Sequence, residues 1–348
     1  MKKIISILLL ICICVSLFGC RAEKSGTADA DVSDIVESSA NKTNNTDEAI
    51  VIRYNMGSAE GSTLDIGARY MGELLDEWTD GRITVEVYNS NALGSDRELI
   101  EALALGDLEM ANIATGTVCN FSEAFKPLDL PYVVKDRETA YKVLDGEEGR
   151  EVLDTLEASN IKGLSFWELG WRVLYNNIKE INTPADMKDV KIRTMENDIY
   201  LNLFNGIGAY AIAMSVSELY TALQQGTVNA CENPIGAQYE GGYYEVVPYV
   251  SVTNHVYCAC VSMISMDFWN SLSADDQELI VKADAMARDY CRNFCAEQEG
   301  EYYQKWIDAG GTVTYVDTDL WAEECSFVVD SYADEIDMDF VAALRGEK

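Results

Sequence analysis

Ile50-Val51-Ile52-Arg53-Tyr54-Asn55-Met56-Gly57-Ser58 is a short strand pattern running straight into a glycine turn, and the helix and strands beyond that turn decide the fold class. Leu64, Ala68, Met71, Leu74, Leu75 and Trp78 recur at helical spacing until Asp80-Gly81 closes the segment. Ile83, Val85 and Val87 alternate as a half-buried strand. Leu99, Ile100 and Leu103 mark a helix ending near Gly106, and Leu108 to Ala114 reads as a third strand. The order β-α-β-α-β predicts a sheet with helical crossovers, hence an α/β fold.

Toward the C-terminus lies a second series. Gly163 to Leu169, Val190 to Thr194 and Val228 to Cys231 read as strands, and Asp198 to Asn205 as a helix. Ser215-x-x-Glu218 fits a capping box whose helix continues through Leu219, Ala222 and Leu223 to Gly226. Ser273-x-x-Asp276 opens a helical stretch reaching about Asp308, where Gly310-Gly311 stops it. So long a helix is more natural running along two lobes than inside one. Thr312 to Val316 is a late strand, and the C-terminus is helical again. Two α/β series joined in this way predict two lobes with a cleft between them, and ligands of such architectures bind beyond the carboxyl ends of strands.

Toward the N-terminus, Lys2 and Lys3 precede an apolar run, Ile4 to Phe18, that is short for a spanning helix and is succeeded by small residues, which reads as a secretory signal. The run ends Leu17-Phe18-Gly19-Cys20 and resembles a bacterial lipobox. Residues 1–19 are therefore expected to be a lipoprotein signal peptide, with Cys20 carrying lipid and anchoring the chain without spanning the bilayer. The polar, small-residue stretch 20–48 cannot bury enough surface to order itself and reads as a flexible tether. Residues 49–169 with about 259–298 are assigned to lobe I, and 170–258 with about 299–340 to lobe II.

With 26 Lys+Arg against 59 Asp+Glu, the 348-residue chain carries a net charge of −33, and losing Lys2 and Lys3 makes it more negative still. Such a surface repels nucleic acid and anionic membrane, which argues against both as partners. An anion site must then be built locally from a few arginines. Of ten cysteines, Cys12 and Cys14 leave with the signal and Cys20 is lipidated; the seven that remain are odd in number, and a chain this long needs no staples, so free thiols are expected. Cys258-x-Cys260 looks like one face of a strand, and Cys291 and Cys295 lie four apart on a helix. There is no CxxC pair, His255 is the single histidine, and HExxH, GxSxG and P-loop patterns are absent, so neither a metal site nor catalytic residues are expected. Gly206-Ile207-Gly208-Ala209-Tyr210-Ala211 matches a dinucleotide fingerprint by letters. It comes after a predicted helix instead of joining a strand to one, so no cofactor is expected. His255 reads as a structural polar residue.

Two arginines stand out. Gly170-Trp171-Arg172 closes one strand and Lys191-Ile192-Arg193 lies in the next, which would place both guanidinium groups at the cleft. Arginine's planar fork binds a carboxylate through two parallel hydrogen bonds, which lysine cannot copy. Spacing alone leaves open whether they do this or pair with surface carboxylates.

Val190-Lys-Ile-Arg-Thr-Met-Glu-Asn197, Ser217-Glu-Leu-Tyr-Thr-Ala-Leu-Gln-Gln-Gly226 and Glu232-Asn-Pro234 resemble the solute receptors of TRAP transporters (tripartite ATP-independent, DctP-type). So do Leu93-Gly94-Ser95-Asp96-Arg97, Leu130-Pro131-Tyr132, Tyr244-Glu245-Val246 and Thr253-Asn254-His255, all in the right order over roughly residues 50 to 335. The resemblance implies a two-lobed, type II periplasmic-binding-protein-like fold with a long helix spanning the lobes, and an extracytoplasmic receptor that closes on a small organic carboxylate. It implies a bidentate salt bridge from Arg193 to the ligand carboxylate, a second cleft arginine at Arg172, and ligand contacts from Asn233 and Asn55. Sugar acids such as uronates, or C4-dicarboxylates, are the implied ligands, and two membrane permease subunits the implied partners. The chain departs from the family at Val228-Asn229-Ala230, at Val216, and at Ala114, where some sialic-acid-binding members carry a carboxylate. A receptor for a sensor kinase uses the same fold, and a secreted enzyme acting on organic acids is the alternative from another class.

Overall fold

The computed structural model describes residues 48–348. The leader, Cys20 and nearly all of the tether lie outside the described residues. Nine strands form one sheet: β1 (Ile50–Met56), β2 (Ile83–Tyr88), β3 (Met110–Ala114), β4 (Ile161–Asn176), β5 (Lys191–Thr194), β6 (Tyr210–Ala213), β7 (Ala230–Pro234), β8 (Tyr249–Ser265) and β9 (Thr312–Tyr315). Their order is β2-β1-β3-β8-β4-β7-β5-β6, with β9 alongside β8. The opening β-α-β-α-β appears as predicted, with helices Thr63–Trp78 and Asp96–Leu105 crossing over between the parallel strands β1, β2 and β3. A mirror of this arrangement, parallel β7, β5 and β6, forms the other end of the sheet.

Two long antiparallel strands join the ends. The first part of β4 and the last part of β8 pair beside β3, whereas Arg172–Asn176 of β4 pairs with β7 and Tyr249–Val252 of β8 with β9. Register shifts in β4 fall between Gly163 and Ser165, Glu168 and Gly170, and Arg172 and Leu174. Gly170 takes φ +104, which a side chain would resist, and marks a bend where β4 leaves one half of the sheet for the other.

This corrects the reading of Arg172. The strand predicted over Gly163 to Leu169 does not close at Gly170-Trp171-Arg172, because the glycine bulges without ending the ladder and Val173, Leu174 and Tyr175 continue it. Arg172 and Arg193 are not on neighbouring strands either, since β7 lies between β4 and β5. The strand expected at Val228 to Cys231 sits two residues later, at Ala230–Pro234, which brings Glu232 and Asn233 into the sheet. Ser215 caps its helix through the Ser217 amide instead of closing a box with Glu218.

The long helix, Ala274–Asp308, has 35 residues and so extends about 50 Å. It packs on helix Thr63–Trp78 in one half and on helix Ile235–Glu240 in the other. Buried polar contacts pin it to β4. Asp284 accepts from Ser165 Oγ and Trp167 Nε1, while Arg292 donates to both oxygens of Asp145 (2.7 and 2.9 Å) and to the Phe166 carbonyl. In one half the core gathers Tyr54, Met71, Leu75, Trp167, Ile280 and Cys291; in the other, Val173, Tyr175, Leu223, Tyr302 and Trp306. Gly67 lets the first of these close. A Cβ there would meet Trp167 Cζ3 at 2.4 Å.

Candidate functional site

A cavity of about 300 Å³ opens where β1, β3 and the turns beyond them face β4, β5, β7 and their own turns. That is small for a binding pocket and suits a compact ligand. Arg172, Arg193 and Asn233 line it; Asn55 does not. Asn55 sits fully buried within β1, in register with Tyr88 and Ala111, and neither amide atom finds a partner. The residues that reach the cavity from this segment are Gly57, Ser58 and Ala59, just beyond the strand's end.

The two arginines differ in their electrostatics. Arg172 is buried against Glu232: Nε and Nη2 engage the two carboxylate oxygens, Nη2 also donates to the Glu232 carbonyl (3.0 Å), and Nη1 reaches Cys258 Sγ (3.1 Å). Its guanidinium lies over the Tyr200 ring, 5.5 Å from the centroid. Burial alone would raise the Glu232 carboxyl, but Arg172 and then His255 more than offset it and hold it at about 2. His255 Nε2 lies 3.4 Å from Glu232 Oε2, and Nδ1 is 2.8 Å from Thr253 Oγ1. Burial pushes the imidazole below its ordinary value, which suits the structural role read from sequence.

Arg193 is equally buried, at 2% exposure, yet among the described residues it forms no ion pair. Its Nε donates to the Met214 carbonyl (2.8 Å), and burial pulls its pKa below the ordinary arginine value, with Glu232 opposing. An unpaired buried guanidinium is costly, and the arrangement makes sense where an anion from solution completes it. β5 positions it: Ile192, Arg193 and Thr194 are all buried, and the strand is clamped between β6 and β7.

The facing wall was not assigned from sequence. Asp96, the first residue of helix Asp96–Leu105, lines the cavity together with Asn91 and Asn112, and Gln238 does so from the arginine side. Asp96 belongs to the Leu93-Gly94-Ser95-Asp96-Arg97 stretch, but nothing in its spacing marks which carboxylate faces inward. Asn112 is a polar residue within an apolar strand, the one signal that pointed to it. Ala114 also lines the cavity and adds no charge.

All seven cysteines of the described residues are free and buried, in line with the expectation of free thiols; burial pushes Cys291 and Cys325 up to about 12. Among the described residues no group of His, Cys, Asp and Glu is arranged to hold a metal, and no helix is long and apolar enough to cross a membrane.

The model of the family described as bacterial extracellular solute-binding protein, family 7 (DctP), matches residues 54–335. The chain is 32% identical over 306 residues to the C4-dicarboxylate-binding periplasmic protein DctP of Rhodobacter capsulatus, covering 86% of this chain and 91% of that protein. Its fold superposes on the sugar acid binding protein DctPAm of Advenella mimigardefordensis, solved with galactonate, with a TM-score of 0.83, 30% identity, and coverage of 86% and 97%. A TRAP periplasmic solute binding protein of Polaromonas sp JS666, solved with D-erythronate, gives a TM-score of 0.82 at 29% identity, covering 85% and 98%.

Proposed function

We infer that this chain, which belongs to the bacterial extracellular solute-binding proteins of family 7, captures a small organic carboxylate outside the cytoplasm by clamping it with Arg193 and hands it to the permease subunits of a TRAP-type transporter. The single observation that carries the clamp is the buried Arg193 guanidinium in the cavity wall, with one nitrogen held by the Met214 carbonyl and no carboxylate of its own. Arg172 serves a different purpose. Already neutralised by Glu232, it shapes the wall and contributes a dipole more than a free charge. Asn233 adds a polar contact from β7.

We set the lobe boundaries at 169/170, 258/259 and about 298/299; the passage of β4 and β8 between the two halves of the sheet and the positive φ of Gly170 support the first two. Closure about these two strands brings both walls onto the ligand, and the closed form is what the permease recognises. The receptor performs no covalent chemistry, and Cys20 tethers it to the membrane by lipid. A thermal-shift screen against organic acids, then calorimetry on the hits, tests the reading. A carboxylate should raise the melting temperature with concentration by about RT ln(1 + [L]/Kd) in free energy and be recovered unchanged. Steady conversion of the ligand by purified protein would replace this reading with an enzymatic one. Metabolic labelling with a fatty acid checks the anchor, since Cys20→Ala should abolish label and release the protein.

A further inference from the structure

We propose that Asp129 is a proton-binding site coupled to ligand capture: as the two halves close on an anionic ligand, this carboxylate takes up a proton from solution at Oδ1. The proposal rests on the reading of the cavity as a carboxylate site and adds a dependence on pH.

Asp129 ends the 3-10 helix Glu123–Asp129 and is 1% exposed. Its partners come from both halves of the sheet. Thr115 Oγ1, just beyond β3, donates to Oδ1 (2.9 Å). From the other half, beyond β5, Asn197 Nδ2 donates to Oδ2 (3.1 Å) and Tyr200 Oη to Oδ1 (3.4 Å). The halves meet tightly here, since a Cβ on Gly116 would run into Met195 Cε and lie 3.2 Å from Tyr200 Cε2. The cluster stands behind the cavity wall. Ala114 and Met195, close in the chain to Thr115 and Asn197, line the cavity, and the Tyr200 ring lies under the Arg172 guanidinium.

Among the described residues Asp129 forms no ion pair. Arg172 attracts it, but that charge is already engaged by Glu232. Lys126, on the same 3-10 helix, pairs with Glu123 and Glu335, and Asp198, at the start of the helix that Asn197 caps, adds negative charge on this side. The other groups facing Asp129 keep one state through neutral pH. Burial pushes the Cys119 thiol and the Tyr200 hydroxyl up and pulls His255 below its ordinary value, while Glu232 stays at about 2. Asp129 itself is raised to about 7 by burial. Closure removes water from its surroundings and the ligand adds a negative charge beyond Arg172, and both favour the neutral acid further. The geometry also fixes where the proton goes. Asn197 Oδ1 is committed to the Ile199 amide (2.8 Å), so Nδ2 can only donate and Asp129 Oδ2 stays an acceptor. Thr115 and Tyr200 present hydroxyls, which can turn and accept from a protonated Oδ1.

The test is titration calorimetry at about pH 7 in buffers of different ionisation enthalpy, with galactonate, erythronate and succinate as probes. Wild type should take up about half a proton per bound probe, and its Kd should rise about threefold per pH unit through neutrality. Asp129→Asn should bind with uptake below about a tenth of a proton and a flat pH profile. Thr115→Val, which removes one donor to Oδ1, should keep the uptake and move its midpoint up by about half to one pH unit. A probe that binds wild type with no buffer-dependent heat would overturn the proposal and leave the receptor reading intact. So would an unmoved midpoint in Thr115→Val, or uptake that survives in Asp129→Asn and disappears in Asp96→Asn or Glu240→Gln, where burial also raises the carboxyl. If none of the three probes binds, the carboxylate-site reading fails and the proposal with it.

Discussion

Replacing Arg193 by methionine should abolish ligand binding and at the same time stabilise the empty protein. The side chain is 2% exposed, makes a single hydrogen bond to the Met214 carbonyl, and has no anionic partner among the described residues. Glu232 draws it electrostatically, but that carboxylate is already held by Arg172. Exchanging buried charge for an apolar side chain of similar length typically gains about 1–4 kcal/mol. Losing the donor to Met214 takes back about 1 kcal/mol. The expected balance runs from about zero to a gain of about 3 kcal/mol, which for a chain of this size lifts the melting temperature by up to about 5 °C.

Binding should move the other way. A charge-assisted fork in a desolvated cleft is worth at least about 3 kcal/mol, a factor above a hundred in Kd. Arg193→Lys keeps the charge but loses the fork, and should cost about 2–4 kcal/mol of affinity. Scanning calorimetry on empty protein and titration with the cognate acid give the two readouts. An Arg193→Met protein that is less stable than wild type by more than about 1 kcal/mol, or that binds within about threefold of wild type, would refute the reasoning, because Arg193 would then be a structural residue.

The pH dependence should carry two opposite signatures. Glu232, held down at about 2 when folded, contributes stability that is present above its ordinary unfolded value near 4.3 and lost as pH falls toward 2, on the order of 3 kcal/mol. Asp129 is the reverse: burial, opposed by Thr115, Arg172, Tyr200 and Asn197, raises it to about 7, so its contribution is complete below about 4 and fades as pH rises through 7. Asp129→Asn should therefore flatten the stability profile between about pH 4 and 8, and an unchanged slope in urea titrations would count against it. Gly67→Ala should destabilise by about 1–3 kcal/mol despite alanine's better helix propensity, since its Cβ would meet Trp167; equal or higher stability would show that the helix can shift. The seven buried thiols should stay silent to a thiol reagent in the native ectodomain and react on denaturation, with reductant leaving the melting temperature unchanged.

The elements that were legible in sequence are those whose environment repeats. Helix Thr63–Trp78 buries Leu64, Ala68, Met71 and Leu75 on one face, so its period survives in the letters. β4 and β8 are different, being buried almost along their whole length, and a continuous apolar run carries no alternation to mark its ends. Gly170 then looked like a terminator when it is a bend within a strand that runs on to Asn176. The same limit applied at Asn55. The family resemblance implied a ligand contact from it, but the last strand residues pair on both sides and bury it, and the chain reaches the cavity only at Gly57.

The site shows why residue type and spacing stop short of chemistry. Arg172 and Arg193 are indistinguishable as letters, each preceded by a large apolar residue. What separates them is a third residue, Glu232, whose carboxylate pairs with the Arg172 fork and acts on Arg193 without forming an ion pair with it. In a chain of net charge −33, any acid that enters the cavity depends on such local positive charge. Pairing one arginine internally leaves Arg193 as the cavity's one arginine without an ion pair among the described residues. Because Arg172, and after it His255, hold the Glu232 carboxyl well below the ordinary carboxylate range, that pairing persists through neutral and mildly acidic pH.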